Sequence, residues 1–361
     1  MLRVDWKKYK EFCREALVLS GVKEEAAEAV ADCCVMTDMF GISTHGSVNI
    51  PKYLNKMRAG GLEGQTTPSV ITEGPTWARL SGNGGFGMYN GRYAMDLAMK
   101  KAGEVGMSIV TVSDSGHFGA CCAYSVYAAR KGYLAIAMSN TNKLMCVPGG
   151  KGNIIGNAPI SYALPRQEGH PIFMDIALSQ VAKLKVVQYQ KEGKKIPDGW
   201  AVDENGLPTN DPQGNNFSMS PMSAHKGYCL AFLVETLTTV LSGGSFDIRS
   251  WLFGPAESQS NLGHTMLVID VNKMMDPMEF ASRLEEYTAS IVDAPKAVGS
   301  DKIFYPGEPN WLCYDKAAQE GLQLPEATEA AARQLAELTG LDLDACAVCP
   351  PVFLPMISKR R

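Results

Sequence analysis

The middle of the chain alternates between strand-like and helix-like segments, and this alternation constrains the fold more than any other feature. The strand-like segments are 77–80, 107–112 and 134–138, and the helix-like segments between them are 92–105 and 124–131. Strands that alternate with helices form a sheet covered by helices. The short strand-like runs in 153–185 follow one another without a helix, which favours mixed pairing over a purely parallel sheet. The sequence therefore predicts an α/β fold.

Helical patterns dominate the two ends of the chain. Residues 1–40 are predicted to form two helices, a short helix follows at 51–58, and the helix at 325–339 ends at Gly340. Because 361 residues exceed the size at which one core keeps growing, we expect more than one lobe. The expected division is an N-terminal helical substrate lobe at 1–75, an α/β cofactor-binding core at 76–300 and a C-terminal segment at 301–361 that packs back on both.

Two further segments have distinctive compositions. Residues 193–216 are rich in Gly, Pro, Asp and Asn and are expected to form an exposed loop. Residues 228–242 are the most apolar stretch of the chain. Since this stretch is short and contains Glu235, we interpret it as a buried helix and not as a membrane span.

Charge and cysteine content argue against several classes of protein. The net charge of -4 does not suit a nucleic-acid-binding surface, although a local basic pocket could still hold a small anionic ligand. The N-terminus lacks the apolar run of a signal peptide. The adjacent pairs Cys33-Cys34 and Cys121-Cys122 fit small buried thiols in a reducing compartment, so we expect a cytoplasmic protein. Cys346 and Cys349 form a CxxC without a second pair, and we expect no metal site.

A glycine pattern follows the first strand of the central region. Gly82, Gly84 and Gly87 spell G-x-G-x-x-G, the pattern of a dinucleotide-binding loop. Asp114, the acid after the next strand, lies further from Gly87 than the ~20 residues usual for a ribose-binding acid. Because Gly85 adds a further glycine, the pattern also arises by chance. We interpret the run as a turn before a helix and keep a Rossmann-type dehydrogenase as an alternative.

All five histidines stand within two residues of a glycine, and four of them are candidate site residues. They are His45, His117, His225 and His264, whereas His170 lies in a hydrophilic turn. Glycine lets the backbone approach a ligand closely, and imidazole exchanges protons near neutral pH. Each of the four could equally be a structural hydrogen-bonding residue. The sequence has no HxH or HExxH pattern, so these histidines do not indicate a metal site.

A series of short motifs surrounds these histidines in a fixed order. They are Thr44-His45-Gly46 with Ile50-Pro51-Lys52-Tyr53, Gly116-His117-Phe118-Gly119, Ser139-Asn140-Thr141, Gly156-Asn157-Ala158-Pro159, Asp175-Ile176-Ala177-Leu178-Ser179, Pro197-Asp198-Gly199-Trp200-Ala201-Val202-Asp203, His225-Lys226-Gly227-Tyr228 and Pro306-Gly307-Glu308. Together they resemble the motifs of the malate/L-lactate dehydrogenases of the non-Rossmann type. That family includes ureidoglycolate dehydrogenase, 2,3-diketogulonate reductase and sulfolactate dehydrogenase.

The resemblance implies a fold and an activity. The fold is a three-layer one like that of L-sulfolactate dehydrogenase, with a mixed seven-stranded sheet, a helical substrate lobe and a homodimer. The activity is hydride transfer between NAD or NADP and a 2-hydroxy or 2-oxo acid, a related carbonyl compound or an imine. The residues implied in cofactor binding are Thr141, Asp175, Ile176, Ala177, His225, Lys226, Pro306, Gly307 and Glu308. Lys226 can neutralise a pyrophosphate, and Asp175 and Glu308 can accept hydrogen bonds.

The catalytic and substrate-binding residues follow from the same resemblance. His117 is the expected proton donor and acceptor, with His45 as the second choice. The residues expected to orient the substrate are Thr44, Asn49, Tyr53, Asn142 and His264.

Two of these positions depart from the family pattern. The family commonly has arginine where this chain has Asn49, and ureidoglycolate-type members have arginine where it has Asn142. Losing a planar, permanently charged anchor makes a simple 2-oxo acid a less secure substrate, unless Lys52 or Lys143 substitutes or the substrate lacks a carboxylate there. A small-molecule binding protein that kept the fold and lost turnover is a further alternative.

Overall fold

A mixed seven-stranded sheet forms the centre of the protein in the computed structural model, which describes residues 1–348 except 213, 215 and 247–254. The strands are β1 (Arg3–Val4), β2 (Ser69–Gly74), β3 (Trp77–Ser81), β4 (Met107–Ser115), β5 (Tyr133–Ser139), β6 (Lys143–Met145), β7 (Ile155–Gly156), β8 (Ile160–Leu164), β9 (Ile172–Ile176), β10 (Ala201–Val202), β11 (Pro208–Thr209), β12 (Ser218–Met219), β13 (Leu262–Asp270) and β14 (Leu322–Gln323). The order across the large sheet is β2-β3-β4-β13-β5-β8-β9. Only β3 and β4 pair in parallel in this sheet, as the predicted mixed pairing requires.

Helices cover the sheet and form most of the two ends of the chain. They are α1 (Trp6–Leu19), α2 (Glu24–Met39), α3 (Ile50–Arg58), α4 (Gly87–Val105), α5 (Cys122–Ala129), α6 (Lys183–Lys191), α7 (His225–Glu235), α8 (Val271–Met274), α9 (Pro277–Val292), α10 (Glu308–Glu320) and α11 (Glu326–Thr339). Among the described residues, no helix is long and apolar enough to cross a membrane.

The N-terminal helices and the sheet share one apolar core. The largest buried cluster runs from Tyr9 and Leu17 in α1 through Val30 in α2 to Leu80 in β3 and Met266 in β13. The first and last parts of the described chain also meet, because β1 pairs with β14. The helices within 1–40 therefore share a core with strands of the large sheet.

The expected exposed loop at 193–216 is partly wrong. It contains β10 and β11, which belong to a five-stranded sheet of order β11-β10-β12-β6-β7. Ala201 and Val202 are buried there, and Ile196 packs into the same apolar cluster. The polar composition of this segment gives no sign of its two short strands, because only a few apolar side chains anchor them.

The expected buried helix at 228–242 is also partly wrong. The chain forms α7 and then a π-helical turn, Thr236–Val240. Ala231 and Val234 are buried, but Phe232 and Leu233 are 61% and 54% exposed. Apolar composition alone does not show which face of a helix is buried within its own chain and which face stays exposed.

Candidate active site

Two turns meet at the carboxyl end of the parallel strands β3 and β4. The turn after β3 contains the glycine run, here called the glycine turn (residues 82–87). The turn after β4 contains His117, here called the histidine loop (residues 115–119). The amide of Gly116 donates to the carbonyl of Gly85 at 3.0 Å, and a Cβ added at Gly87 would lie 2.2 Å from the carbonyl oxygen of Gly116. The missing side chain of Gly87 therefore admits the histidine loop.

Protein atoms also fill the rest of the glycine turn. A Cβ added at Gly82 would lie 2.2 Å from Nδ2 of Asn90. The amides of Gly82 and Gly84 donate to carbonyl groups in β4 at 2.8 and 2.9 Å. A dinucleotide-binding loop offers such amides to a pyrophosphate. The interpretation as a turn before a helix thus fits the structure, and the Rossmann alternative does not.

His117 lies beside Tyr53 and His45. The hydroxyl of Tyr53 and Nδ1 of His117 share a hydrogen bond of 2.7 Å, and the two rings are stacked with centroids 5.9 Å apart. The ring centroid of His45 is 6.0 Å from that of His117. Tyr53 lies in α3, which begins just after the His45 segment. The structure therefore brings three of the expected site residues together.

Burial favours the neutral forms of these side chains. It lowers the pKa of His45. Burial and the nearby His45, His264 and Lys52 lower the pKa of His117 well below its ordinary value. Burial raises the pKa of the Tyr53 phenol well above 10. A neutral imidazole hydrogen-bonded to a neutral phenol can accept or return a proton.

The side chain of Asn49 is buried and hydrogen-bonded to protein atoms. It is 1% exposed, and its Nδ2 donates to the carbonyl of Thr44 at 2.9 Å. Its Oδ1 accepts a hydrogen bond of 3.0 Å from Nζ of Lys52. The expectation that Asn49 contacts the substrate directly therefore conflicts with its burial. Thr44 is exposed, and its hydroxyl shares a hydrogen bond of 3.0 Å with Nδ1 of His45.

Sequence reasoning does not find Asp38, a buried acid in α2. Its Oδ2 accepts hydrogen bonds from the amide and hydroxyl of Ser47 at 3.0 and 2.6 Å. Its Oδ1 is buried without a hydrogen-bond partner in the described part of the chain. A Cβ added at Gly46 would lie 1.8 Å from that oxygen, so Asp38 packs against the residue after His45. Burial raises the pKa of Asp38 to about 7. The available sequence signal is an acid within a largely apolar helix.

His264 supports the histidine loop from inside the sheet. The residue is fully buried, and its ring stacks on Phe118 with centroids 4.2 Å apart. Its Nδ1 and Nε2 share hydrogen bonds of 2.9 Å with the hydroxyls of Ser139 and Ser115, respectively. Both ring nitrogens thus contact protein groups, which conflicts with the expected direct contact between His264 and the substrate.

Most of the segments expected to bind the cofactor lie along β9 or just beyond it. The amide of Phe173 in β9 donates to the carbonyl of Pro306 at 3.2 Å. Just after β9, the amide of Leu178 donates to the carbonyl of Asn157 at 2.7 Å, and the carbonyl of Leu178 accepts from the amide of Met222 at 2.8 Å. The first contact joins the start of β9 to the residues before α10, and the others join the residue after β9 to Asn157 and to the residues before α7.

Thr141 lies beside Asn157, which contacts the residue after β9, whereas Glu308 follows Pro306, which contacts Phe173 near the start of β9. The hydroxyl of Thr141 donates to Oδ1 of Asn157 at 2.8 Å. Lys302 forms an ion pair with Oε1 of Glu308. Within the described residues, Oδ1 of Asn142 and Oε2 of Glu308 are buried and have no hydrogen-bond partner. Buried acceptors of this kind are rare unless a ligand or water satisfies them.

Two contacts connect this region to the histidines. Oδ2 of Asp175 accepts a hydrogen bond of 2.8 Å from the amide of Cys122, at the start of the helix that follows the histidine loop. Burial raises the pKa of Asp175 to about 6. Nδ2 of Asn310 in α10 donates to the carbonyl of Phe40 at 3.1 Å, shortly before His45. The expected cofactor and catalytic residues therefore form one connected region.

His225 and Lys226 form the first turn of α7 and are exposed. The described residues contain no group of three His, Cys, Asp or Glu side chains that could hold a metal ion. Cys349 of the CxxC pair lies outside the described residues.

Comparisons with known proteins identify the family. The model of the malate/L-lactate dehydrogenase family matches residues 4–331. The chain is 32% identical over 322 residues to malate dehydrogenase of Pyrococcus abyssi, covering 87% of this chain and 88% of that protein. It is 30% identical over 309 residues to ureidoglycolate dehydrogenase (NAD⁺) of Escherichia coli, covering 85% and 88%.

A solved structure shows the same fold. Sulfolactate dehydrogenase from Methanocaldococcus jannaschii superimposes with a TM-score of 0.88 at 28% sequence identity, covering 96% of this chain and 99% of that chain. The predicted sulfolactate-dehydrogenase-like fold is confirmed. So is the predicted enzyme class, a dehydrogenase that acts on a CH–OH group. The chain belongs to the malate/L-lactate dehydrogenase family.

Proposed function

We propose that the protein transfers a hydride between NAD or NADP and a 2-hydroxy or 2-oxo acid, with His117 as the group that exchanges the proton. The observation that carries the proposal is the hydrogen bond between Nδ1 of His117 and the hydroxyl of Tyr53. It orients the imidazole beside that of His45, whose ring centroid is 6.0 Å away. Imidazole is suited to this exchange because small environmental effects move its pKa across the neutral range.

The residues around β9 fit a dinucleotide. The unpartnered acceptors Asn142 Oδ1 and Glu308 Oε2 suit ribose hydroxyl or carboxamide donors. Lys226 adds a positive charge to the N-terminal end of α7, which favours a pyrophosphate. The nicotinamide supplies or accepts the hydride when the coenzyme is bound.

His117 and Tyr53 account for the proton. With Nδ1 engaged by Tyr53, we assign proton exchange to Nε2 of His117, which takes the hydroxyl proton during oxidation and returns it to the carbonyl oxygen during reduction. Because burial lowers the pKa of His117, the unprotonated form that oxidation needs dominates at neutral pH. The pair formed by Thr44 and His45 lies beside it and would orient the substrate oxygen.

We also propose that the protein is a homodimer in which a second copy covers the apolar face of α7. Leu230, Phe232 and Leu233 are 49%, 61% and 54% exposed, and Val240 and Leu241 extend this surface. Contiguous apolar surfaces of this kind mark interaction sites. Phe232→Glu should therefore convert the dimer to a monomer in size-exclusion chromatography with light scattering. A monomeric wild type would contradict this assembly.

We place the protein in the cytoplasm. Nine described cysteines are free thiols, and seven of them are buried. Free buried thiols are typical of proteins in a reducing compartment.

Coenzyme fluorescence separates the proposed enzyme from a binding protein that has lost turnover. Mixing the protein with NADH or NADPH should enhance the nicotinamide fluorescence, and adding 2-oxo acids should then make the signal decay as the coenzyme is oxidised. Enhancement without decay for any substrate would support a binding protein that has lost turnover. Failure to bind either coenzyme would contradict the proposal.

A further inference from the structure

We infer that the ammonium group of Lys52 binds the carboxylate of the substrate and that Asn49 holds the lysine in place. The inference rests on the proposed function. It adds the residue that selects a 2-oxo acid over a neutral ketone.

A continuous series of hydrogen bonds connects Lys52 to His45. Nζ of Lys52 donates to Oδ1 of Asn49 at 3.0 Å. Nδ2 of Asn49 donates to the carbonyl of Thr44 at 2.9 Å, with a longer contact of 3.4 Å to the carbonyl of Gly46. The hydroxyl of Thr44 then shares a hydrogen bond of 3.0 Å with His45. The ammonium group is therefore tied to the backbone that carries one of the site imidazoles.

The position of Lys52 in α3 also places it beside the second imidazole. Lys52 directly precedes Tyr53, whose hydroxyl is hydrogen-bonded to His117. The positive charge of Lys52 is one of the influences that lower the pKa of His117. The side chain of Lys52 is exposed, so a ligand can approach it from solvent. A carboxylate next to the reacting carbon of a substrate at His117 would then meet the positive charge of Lys52.

The amide of Asn49 is poorly placed for this task. Nδ2 donates to the carbonyls of Thr44 and Gly46, and Oδ1 accepts from Lys52. A neutral, 1% exposed side chain with these partners positions its neighbours. Asn49 is therefore a positioning residue, and Lys52 is the group that contacts the substrate.

Two other lysines have different surroundings. Lys56, one turn further along α3, is buried, and its Nζ donates to the carbonyl of Ser258 at 2.6 Å. Lys143 begins β6, and its charge acts on Glu235, which accepts a hydrogen bond from the amide of Gly156. These described contacts run to Ser258 and Glu235, whereas the described hydrogen bond of Lys52 runs through Asn49 to Thr44, next to His45.

The test compares 2-oxo acids with their amides, which have nearly the same shape and lack the charge. The pairs are pyruvate with pyruvamide and 2-oxobutanoate with 2-oxobutanamide, and the measured quantity is the acid-to-amide ratio of kcat/KM. A charge-assisted contact corresponds to about 10- to 150-fold in this ratio. Lys52→Met should lower the ratio by that factor, mainly through a higher KM for the acid. Lys52→Arg should retain most of the preference.

Arg58→Met is the matched control because it removes an exposed cation from the same helix. It should leave the ratio unchanged. An unchanged ratio in Lys52→Met, or an equal loss in Arg58→Met, would overturn the inference while the proposed function stands. A wild type that binds coenzyme and reduces none of the four compounds would overturn the proposed 2-oxo acid activity, and the role of Lys52 with it.

Discussion

The glycine turn and the histidine loop lie side by side and both pack closely through glycine, but only the histidine loop carries an imidazole. Both follow parallel strands and end at the same edge of the sheet. In the glycine turn, the spaces beside Gly82 and Gly87 are occupied by protein atoms, and the amides donate to the chain's own carbonyls. In the histidine loop, protein atoms also lie 2.7 Å from a Cβ added at Gly116 or Gly119, but these glycines flank an imidazole that is held by Tyr53. A glycine run therefore indicates a close backbone approach, and the structure decides whether a ligand or another loop makes it.

The largest expected effect comes from the histidine loop. His117→Ala should lower kcat by about 10²–10⁴-fold, the range for a lost general acid or base. Coenzyme affinity should remain nearly unchanged because the residues near the end of β9 are intact. Steady-state kinetics and a fluorescence titration of the same variant measure both quantities. Turnover close to that of the wild type would move the proton exchange to His45 or to water.

A third glycine extends the comparison, because the space beside Gly46 is filled by the carboxyl of Asp38. Burial raises the pKa of Asp38 from 3.8 to about 7. Between these pH values the folded protein holds a proton that the unfolded chain has released, so the free energy of unfolding falls as the pH rises. At about 1.36 kcal/mol per unit, the loss is at most about 4 kcal/mol.

Asp38→Asn should remove this pH dependence. The difference in the free energy of unfolding between variant and wild type should shift in favour of the variant as the pH rises from 3.8 to about 7. Denaturant titrations at several pH values measure this difference, in which the contributions of His45 and His117 cancel. A difference that does not vary with pH would show that Asp38 is already ionised in the folded protein throughout this range.

The glycine turn should matter for stability and for the position of its neighbour. Gly87→Ala places a Cβ 2.2 Å from the carbonyl oxygen of Gly116, so the histidine loop must shift. We expect a loss of about 1–3 kcal/mol in the free energy of unfolding, as for other overpacked sites, together with lower turnover. Gly103→Ala in the same helix is the matched control, where a Cβ meets only the hydroxyl of Tyr133 at 3.2 Å. Equal effects of the two substitutions would contradict the specific contact.

The central strands could be predicted from sequence because each is an apolar run between clear turn or helix signals. The approximate positions of β3, β4 and β5 agree with the expectation. The start of α4 was harder, because Gly87 and Gly91 in its first turns weaken the helical pattern. Local patterns thus determine the presence of an element better than its ends.

The site was less predictable where a role depends on a distant partner. His117 and Tyr53 are far apart in sequence, and motif resemblance brought them together. The burial of Asn49, the contact between Asp38 and Gly46 and the position of His264 inside the sheet depend on packing. A sequence position shows which chemical group is present, but not whether protein atoms already occupy its hydrogen-bonding capacity.

The smallest expected effect separates the glycine turn from the region near β9. Lys226→Ala removes an exposed positive charge from the first turn of α7 and should weaken NADH or NADPH binding by about tenfold, since a single charge-assisted contact of about 1.4 kcal/mol is lost. The effect should shrink in high salt, which screens exposed charges.

Gly84→Ala is the matched variant in the glycine turn, where Gly84 has a φ of +69° and a Cβ would lie 3.0 Å from Nε2 of Gln259. It should lower the free energy of unfolding and leave coenzyme affinity near that of the wild type. Fluorescence titration of both variants at two salt concentrations decides between the regions. Affinity that depends on Gly84 and is indifferent to Lys226 would return the coenzyme to the glycine turn, because only amides freed from β4 could then explain the binding.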